Sequence, residues 1–239
     1  MNNNLKIACL FGGPGSHNAG MGKELYDLDE DCRRVFKTAS DVMGYDMAEL
    51  CFYGEKEALK QTIYSLPSVL TIDLCAYLLA TKQGYTFQAL AGFSLGEYAA
   101  LVAAGVVSIP KTFELVKRLS LASDSVLTDG LYGMAAVNLP PEKCENICLA
   151  IKNGYVRVAN YNSQNQVTLA GNENGLNTFK MIATECGGKF IPISVDRPCH
   201  SQLMKRAADI YQAEIESIEF ENPTIPLYMN VTGERVSTA

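Results

Sequence analysis

The sequence lacks three features that would assign it to common functional classes. It has no excess of positive charge, since its formal net charge is −6, so nucleic acid and anionic membrane are not expected as its main partners. It has no run approaching the roughly 18–20 apolar residues of a membrane span. Its first residues, Met1-Asn2-Asn3-Asn4, lack the basic segment of an export signal, which predicts a cytoplasmic protein.

Histidine is scarce, and the cysteines form no recognisable framework. The chain has two histidines and eight cysteines. Only Cys144 and Cys148 are close in sequence, and no histidine lies near them. This pattern favours buried, reduced thiols over disulfides or a metal site, so we expect no bound metal.

The alternation of short apolar segments and helical segments indicates the fold class. With 48% apolar residues, the 239-residue chain can bury a core in one large domain or two subdomains. Strands alternating with helices predict a parallel sheet covered on both faces. Near Gly130 the order changes to βαββαβ, which is typical of a ferredoxin-like unit. We therefore predict an α/β core (1–127 and 196–239) with an inserted ferredoxin-like subdomain (128–195).

The element boundaries follow from apolar periodicity and from glycine and proline positions. The predicted helices cover 22–61, 68–83, 96–104, 110–127, 141–153, 176–185 and 201–217. The predicted strands cover 5–11, 88–91, 132–139, 156–159, 166–170, 189–195 and 225–231, with a turn at 160–165. The glycine-rich turn Gly12–Ser16 has neither the P-loop lysine nor the dinucleotide-binding spacing, so it does not indicate a phosphate site.

The segment Gly92-Phe93-Ser94-Leu95-Gly96 places a serine between two glycines where an apolar strand meets a helix. Small glycines permit a tight, strained turn that exposes the serine hydroxyl at the helix N-terminus. Backbone N–H groups and the helix dipole can stabilise an oxyanion there. The pattern predicts Ser94 as a nucleophile, and the alternative interpretation is a glycine-flanked turn without chemistry.

A serine hydroxyl at neutral pH needs a neighbouring base, and histidine is the usual one. Only His17 and His200 are available. His200 follows Pro198, where a strand returns to a helix and a side chain can face the serine turn. We predict His200 as the base and interpret His17 as a rim or helix-start residue.

Four segments together resemble the malonyl-CoA:acyl-carrier-protein transacylases, a family that includes the acyltransferase domains of polyketide synthases. They are Phe11–Gly22, Gly92–Val106, Asn160–Gly171 and Arg197–Met204. The resemblance implies an α/β-hydrolase-like core carrying a ferredoxin-like insert. It also implies ping-pong acyl transfer from coenzyme A to the phosphopantetheine thiol of an acyl carrier protein, with Ser94 as nucleophile and His200 as base. Acyl-CoA and carrier protein would then be substrates of a monomer that uses no cofactor.

The first departure from the family concerns the oxyanion hole. The resemblance assigns one donor to the backbone N–H of Leu95. The second family donor is a glutamine N–H, and its position here is Pro14, which has no N–H. We expect a large loss of turnover unless Gly13 or Gly15 donates instead.

The second departure concerns the acyl group. The family arginine that pairs with the malonyl carboxylate falls on Leu119, with Arg118 one residue earlier. Phe93 and Leu66 replace a histidine and a glutamine of the family. These apolar replacements favour an uncharged acyl group, although Arg197 is a possible charged substitute. The remaining residue predicted to bind substrate, Asn162, belongs to the third matching segment.

Three functional hypotheses follow. The first is an acyltransferase of fatty-acid or polyketide synthesis, carrying a malonyl-type or uncharged acyl group. The second is an acyl-thioester hydrolase of the same fold, and the third is a catalytically weak carrier-binding module. Family members continue beyond the position of Ala239, so the residue that orients His200 is not identified and a truncated chain is expected.

Overall fold

A computed structural model describes residues 6–15, 17–127, 130–216 and 218–238. The chain divides into two compact units. The first unit comprises Met1–Leu59, Ile63–Arg118 and Ile215–Ala239, and the second comprises Lys60–Thr62 and Leu119–Glu214. Each has its own four-stranded sheet and its own hydrophobic core. The domain boundaries predicted from the sequence stay a prediction. The start of the predicted subdomain at 128, the segment Met1–Asn4, Ser16 and Ser217 lie outside the described residues.

Short strands and mostly short helices make up the described chain. The strands are β1 (Ala8–Phe11), β2 (Ala89–Gly92), β3 (Tyr132–Val137), β4 (Val156–Ser163), β5 (Gln166–Asn172), β6 (Phe190–Ile193), β7 (Leu227–Tyr228) and β8 (Arg235–Val236). The helices are α1 (Lys23–Leu28), α2 (Glu30–Met43), α3 (Met47–Tyr53), α4 (Lys56–Leu59), α5 (Thr62–Lys82), α6 (Gly96–Ala103), α7 (Ile109–Asp124), α8 (Pro141–Ala150), α9 (Glu173–Glu185) and α10 (Lys205–Ile215). A 3-10 turn, Gln202–Met204, precedes α10.

The sheet of the first unit has the order β1-β2-β7-β8. Strands β1, β2 and β7 are parallel, and β8 pairs antiparallel with β7. One face buries Phe11, Leu90 and Leu227 in the core of this unit. The expectation that both faces are covered is wrong for the described residues, since Leu10 and Tyr228 on the opposite face are 77% and 41% exposed. The two-residue strand β8 was not predicted, because two residues are too few to show the alternation of apolar and polar side chains that indicates a strand.

The helices predicted over residues 22–61, whose boundaries the sequence did not resolve, are four. Asp29 ends α1 and caps α2, because its carboxylate accepts hydrogen bonds from the N–H groups of Asp31 and Cys32. Asp46 caps α3 in the same way through Ala48 and Glu49. Each cap satisfies N–H groups that a helix start leaves unpaired, so it favours a new helix over continuation.

The next helix starts earlier than proline placement suggests. Helix α5 begins at Thr62 and includes Pro67, whereas the sequence predicted a start after that proline. Proline offers no N–H to the carbonyl four residues earlier, which belongs to Ile63. That carbonyl accepts a hydrogen bond of 2.8 Å from the Tyr45 hydroxyl instead. The tertiary contact therefore supplies the donor that the helix lacks.

Helix α5 also corrects the expectation about membrane-length segments. With 21 residues, it is the one helix among the described residues that is long and apolar enough to cross a membrane by length and composition. Its residues Leu70, Leu74 and Cys75 are fully buried in the core of the first unit. This is the arrangement of a core helix, which is apolar on nearly every side.

The sheet of the second unit has the order β4-β5-β3-β6, with every pairing antiparallel. With α8 and α9 connecting its strands, this is a ferredoxin-like arrangement. The predicted fold class is confirmed: an α/β protein with a parallel sheet and a second, smaller sheet. The predicted turn at 160–165 is shorter, because β4 continues to Ser163 through two register shifts against β5. A β-bulge accommodates an extra residue in one strand while the pairing continues beyond it, so the polar residues up to Ser163 remain part of β4.

Candidate active site

The serine turn is built by close contact between backbones. Strand β2 ends at Gly92 and α6 begins at Gly96, with Ser94 between them at a φ of 55°. A Cβ on Gly92 would overlap the backbone of Gly96, and a Cβ on Gly96 would overlap the backbone of Phe11. Glycine is therefore required at both positions, and the turn holds Ser94 in a left-handed conformation that non-glycine residues rarely adopt.

Hydrogen bonds fix the peptide groups of this turn. The Phe93 N–H donates to the Phe11 carbonyl at 2.9 Å, and the Gly96 N–H donates to the Phe93 carbonyl at 2.9 Å. The Ser94 carbonyl accepts from the Glu97 N–H at 3.1 Å. By contrast, no acceptor in the described part of the chain takes the Leu95 N–H. That N–H can donate to an acceptor from outside the protein, as an oxyanion donor must.

The glycine-rich turn after β1 lies directly against the serine turn. A Cβ on Gly13 would be 2.9 Å from the Phe93 carbonyl oxygen and 3.5 Å from the Ser94 Cβ. The Gly15 N–H donates to the His17 Nδ1 at 3.2 Å, so it is already used. The Gly13 N–H has no acceptor among the described residues. Of the two substitutes for the donor missing at Pro14, Gly13 is the one the geometry favours.

His17 is engaged through both ring nitrogens. Its Nε2 lies 2.7 Å from the Leu59 carbonyl oxygen, to which it donates, while its Nδ1 accepts from Gly15. This pairing requires the neutral tautomer protonated at Nε2, and burial lowers the pKa of the ring. The ring ties the glycine-rich turn to the end of α4. It is not at a helix start, since α1 begins only at Lys23.

Sequence reasoning missed Asn230. Its side-chain oxygen accepts a hydrogen bond of 3.3 Å from the Ser94 N–H, and its own N–H donates to the Glu97 carboxylate at 2.6 Å. Asn230 follows β7, just as Gly13 follows β1 and Ser94 follows β2. Carboxyl ends of parallel strands share one edge of a sheet, where ligands bind in open α/β folds. That rule was the signal that could have identified this residue.

In the second unit, His200 also has an unusual backbone. Its φ is 59°, and the neighbouring Ser201 hydroxyl donates to the Pro198 carbonyl at 2.6 Å. Although part of the residue is exposed, desolvation by surrounding protein atoms lowers the pKa of the imidazole. The ring is therefore mostly neutral at pH 7, which is the form that accepts a proton.

Arg197 is already paired with acidic side chains. Its Nη2 lies 3.2 Å from Asp124 Oδ1, and its Nη1 lies 3.7 Å from Asp196 Oδ2. Asp196 in turn accepts from the Thr62 hydroxyl at 3.2 Å. The guanidinium is only 18% exposed. Two carboxylates thus balance its charge, which argues against a third one from a substrate binding there.

The other residues predicted to bind substrate are distributed over both units. Leu66 is partly buried against the first core, and Phe93 is 46% exposed beside Ser94. Leu119 is half-buried in α7. The Asn162 amide donates to the Thr168 hydroxyl at 3.0 Å, across β4 and β5.

Five predicted site residues belong to the first unit, namely Pro14, Leu66, Phe93, Ser94 and Leu95, and four belong to the second, namely Leu119, Asn162, Arg197 and His200. Their functional roles stay predictions. No group of three or more histidine, cysteine or acidic side chains in the described ranges is placed to hold a metal ion.

A strained serine turn at the carboxyl edge of a parallel sheet and a ferredoxin-like unit are the two structural features expected of the acyltransferase class that the sequence resembles. The family model for the acyl transferase domain matches residues 9–239. The chain belongs to this family. The resemblance deduced from the sequence is therefore confirmed.

The names of individual relatives state an activity more specifically than the family description does. The chain is 32% identical over 233 residues to the malonyl CoA-acyl carrier protein transacylase of Bacillus subtilis strain 168, covering 96% of this chain and 74% of the relative. It superimposes with a TM-score of 0.90 on the malonyl CoA-acyl carrier protein transacylase of Coxiella burnetii, at 31% identity, covering 98% of this chain and 75% of that one. A malonyl-transacylase solved in complex with its type II polyketide acyl-carrier protein also gives 0.90, at 30% identity, covering 98% and 77%.

Proposed function

We propose that this protein transfers an acyl group from coenzyme A to the phosphopantetheine thiol of an acyl carrier protein, in fatty-acid or polyketide synthesis. Family membership and the names of the relatives support this activity. One structural observation supports Ser94 and His200 as the reacting pair. Three non-glycine residues of the described chain have positive φ, and Ser94 and His200 are two of them. Such strain concentrates at functional sites.

In the first half of the proposed reaction, Ser94 Oγ attacks the thioester carbonyl carbon of acyl-CoA while His200 accepts the hydroxyl proton. The carbonyl oxygen becomes an oxyanion, which the N–H groups of Leu95 and Gly13 stabilise. The intermediate then collapses, the carbon–sulfur bond breaks, and the coenzyme A sulfur takes the proton from His200. This sequence leaves an acyl-serine ester.

The second half reverses the first with a different thiol. The phosphopantetheine thiol gives its proton to His200 and attacks the ester carbonyl, and Ser94 leaves with that proton. Because free coenzyme A departs before the carrier protein reacts, the kinetics are ping-pong. The low pKa of His200 supports its role, since a neutral ring is needed at the start of both halves.

Which acyl group the protein transfers is a more specific part of the proposal. The relatives are named for malonyl transfer. However, Leu119 cannot pair with a carboxylate, and Arg197 is occupied by Asp124 and Asp196. We therefore propose that uncharged acyl groups are accepted at least as well as malonyl. Loss of carboxylate recognition also suits an editing hydrolase, which is the second candidate function.

Intact-protein mass spectrometry tests these proposals directly. The protein is mixed with malonyl-CoA, acetyl-CoA or a longer acyl-CoA, and the added mass identifies both acylation and acyl group. Ser94→Ala is the control and should gain no mass. Holo acyl carrier protein is then added: transfer supports the acyltransferase, whereas release of free acid supports the hydrolase. Absence of acylation with every thioester would support the carrier-binding module instead.

The remaining proposals concern partners and location. We propose that the protein acts as a cytoplasmic monomer, with acyl-CoA and carrier protein as its substrates and with no metal or other cofactor. The complex of a related transacylase with its carrier protein supports the carrier as a partner. Light scattering after size exclusion would measure the mass in solution. Retained activity after chelator treatment and dialysis would support the absence of a cofactor.

A further inference from the structure

We infer that Asn230 is a positioning residue for the Ser94 nucleophile. Its side-chain oxygen accepts a hydrogen bond from the Ser94 N–H, and its backbone N–H donates to the Glu97 carboxylate. The inference rests on the proposed function only in assigning the chemistry to Ser94. Asn230 itself contacts backbone and carboxylate groups, so it acts through the turn.

The contacts of Asn230 complete the restraint on the Ser94 backbone. At a φ of 55°, Ser94 is held in a conformation that is costly for a side-chain-bearing residue. Its carbonyl is fixed by the Glu97 N–H, and its N–H is fixed by the Asn230 side chain. Without the bond from Asn230, the turn loses one of the hydrogen bonds that hold Ser94 in its strained conformation.

The same restraint orients the proposed oxyanion donor. The Ser94 carbonyl and the Leu95 N–H belong to one peptide plane. A turn held at both ends of Ser94 keeps that plane, and therefore the Leu95 N–H, in one direction. Preorganised donors stabilise a developing oxyanion because they need no reorientation during the reaction.

Strand pairing accounts for the reach of Asn230. Leu227 and Tyr228 of β7 pair with Leu90 and Ala91 of β2, so the residues after both strands emerge at the same edge. The turn after β7 is itself closed, since the Gly233 N–H donates to the Met229 carbonyl at 2.8 Å. Asn230 is thus presented to the serine turn by a short hairpin.

Glu97 couples the two sides of this arrangement. It lies in the first turn of α6, where the helix dipole favours a negative charge. Its carboxylate accepts from the Asn230 N–H at 2.6 Å, while its own N–H fixes the Ser94 carbonyl. Ser94, Glu97 and Asn230 therefore form a closed set of three hydrogen bonds.

The test compares Asn230→Ala with wild type and with a matched control, Thr232→Ala. Thr232 lies in the same hairpin, and its hydroxyl accepts from the Glu234 N–H without contacting the serine turn. Stopped reactions followed by intact mass spectrometry give the rate constant for acylation of Ser94, with whichever of malonyl-CoA and acetyl-CoA acylates wild type faster. The thermal midpoint of each variant is measured alongside.

We expect Asn230→Ala to lower the saturated acylation rate constant roughly 10- to 100-fold, because small misplacement of a nucleophile has effects of that size. The concentration of acyl-CoA at half-saturation should be unchanged, since Asn230 acts on the turn and not on the substrate. Its thermal midpoint should match that of Thr232→Ala. Asn230→Asp is tested in a Glu97→Gln background, so that two carboxylates are not placed together. It keeps an oxygen acceptor for the Ser94 N–H and should therefore restore most of the rate that Asn230→Ala loses.

The outcomes separate the two hypotheses. A wild-type protein that is never acylated at Ser94 refutes the proposed function. Wild-type acylation with an equal rate in Asn230→Ala refutes the positioning role alone. A lower rate that comes with a lower thermal midpoint than Thr232→Ala, and without rescue by Asn230→Asp, shows only structural support and also refutes it.

Discussion

Strained backbone at Ser94 is maintained by side chains and strands that surround it. Gly92 and Gly96 allow the strands and helix to approach, and the contacts of Asn230 and Glu97 hold the resulting turn. Such a conformation persists only where neighbouring structure over-determines it. At the residue scale, the site therefore consists of one strained residue, the proposed nucleophile, and of several groups that confine it.

The first prediction concerns His200 and pH. Desolvation lowers the pKa of this ring below its ordinary value of 6.5. Because the neutral ring is the proposed base, the acylation rate at low acyl-CoA should rise with pH and level off, with a midpoint below 6.5. The measurement is the rate constant of Ser94 acylation between pH 5 and pH 8.

His17→Gln is the control for this profile and should keep the same midpoint, because His17 is engaged by Gly15 and Leu59. A wild-type midpoint above 6.5 would contradict the assignment.

The second prediction concerns the acyl group. Leu119→Arg should raise the malonyl-to-acetyl ratio of Ser94 acylation by about tenfold, as a charge-assisted pair is worth about 1.5–3 kcal/mol. Leu121→Arg on the same helix is the control, since Leu121 is 54% exposed. A wild-type preference for malonyl that Arg197→Ala abolishes would show instead that Arg197 binds the carboxylate despite its two acidic partners.

The third prediction concerns Asp73, a partly buried carboxyl in α5. One of its oxygens has no hydrogen-bond partner among the described residues, and burial raises its pKa from 3.8 to about 7. The folded state therefore binds more protons than the unfolded state between these values, and stability falls as pH rises through that window. Asp73→Asn should raise the thermal midpoint by a few degrees at pH 8, corresponding to ~1–2 kcal/mol after allowance for partial solvation.

The difference between Asp73→Asn and wild type should shrink as the pH is lowered from 8 toward 4. Asp41→Asn, which changes an exposed carboxylate on α2, should show no such trend. An equal shift at both pH values would mean that Asp73 does not titrate in this window.

At the scale of elements, α5 shows how a helix accommodates an internal proline. Pro67 leaves the Ile63 carbonyl without its usual donor, and the Tyr45 hydroxyl replaces it. A buried carbonyl without a donor is costly, so the contact ties the loop before α3 to α5. The contact satisfies a carbonyl in the first turn of a helix that starts five residues before its proline.

The fourth prediction follows from this contact. Tyr45→Phe should lower the free energy of unfolding by ~1–2 kcal/mol, because it leaves the Ile63 carbonyl unpaired. The measurement is urea denaturation followed by circular dichroism. Tyr64→Phe, which alters the ring packed against Tyr45 at 5.2 Å between centroids, is the control and should cost less.

The effect of Tyr45→Phe is also measured in a Pro67→Ala background. Alanine restores the N–H that pairs with Ile63, so Tyr45→Phe should then have a smaller effect. Equal effects in both backgrounds would contradict the role assigned to the tyrosine.

At the scale of the whole molecule, the sheets of the two units differ in the orientation of their strands. The first unit joins β1, β2 and β7 in parallel, which brings the residues after each strand to one edge. The sheet of the second unit is antiparallel throughout, and its order β4-β5-β3-β6 results from two successive βαβ connections. The chemistry predicted for Ser94 belongs to the parallel edge, where open α/β sheets place their ligands.

The sequence by itself determined the features that depend on short-range sterics and on local order. The strained turn at Ser94 was predicted because glycines at fixed spacing, between a strand and a helix, permit few other structures. The ferredoxin-like unit was predicted because its strands and helices follow one another in a characteristic order. The family was predicted from the same local motifs, and the comparisons confirm it.

Only the tertiary structure decided which distant residues meet. Asn230 reaches Ser94 across 136 positions of sequence because β7 pairs with β2, and no local pattern encodes that pairing. Arg197 is paired with Asp124 across 73 positions, a contact that no local pattern encodes, and its predicted role in substrate binding stays a prediction. Partners of this kind are chosen by chain topology and by burial, since an unpaired polar group in the interior is costly, and both arise only when the whole chain has folded.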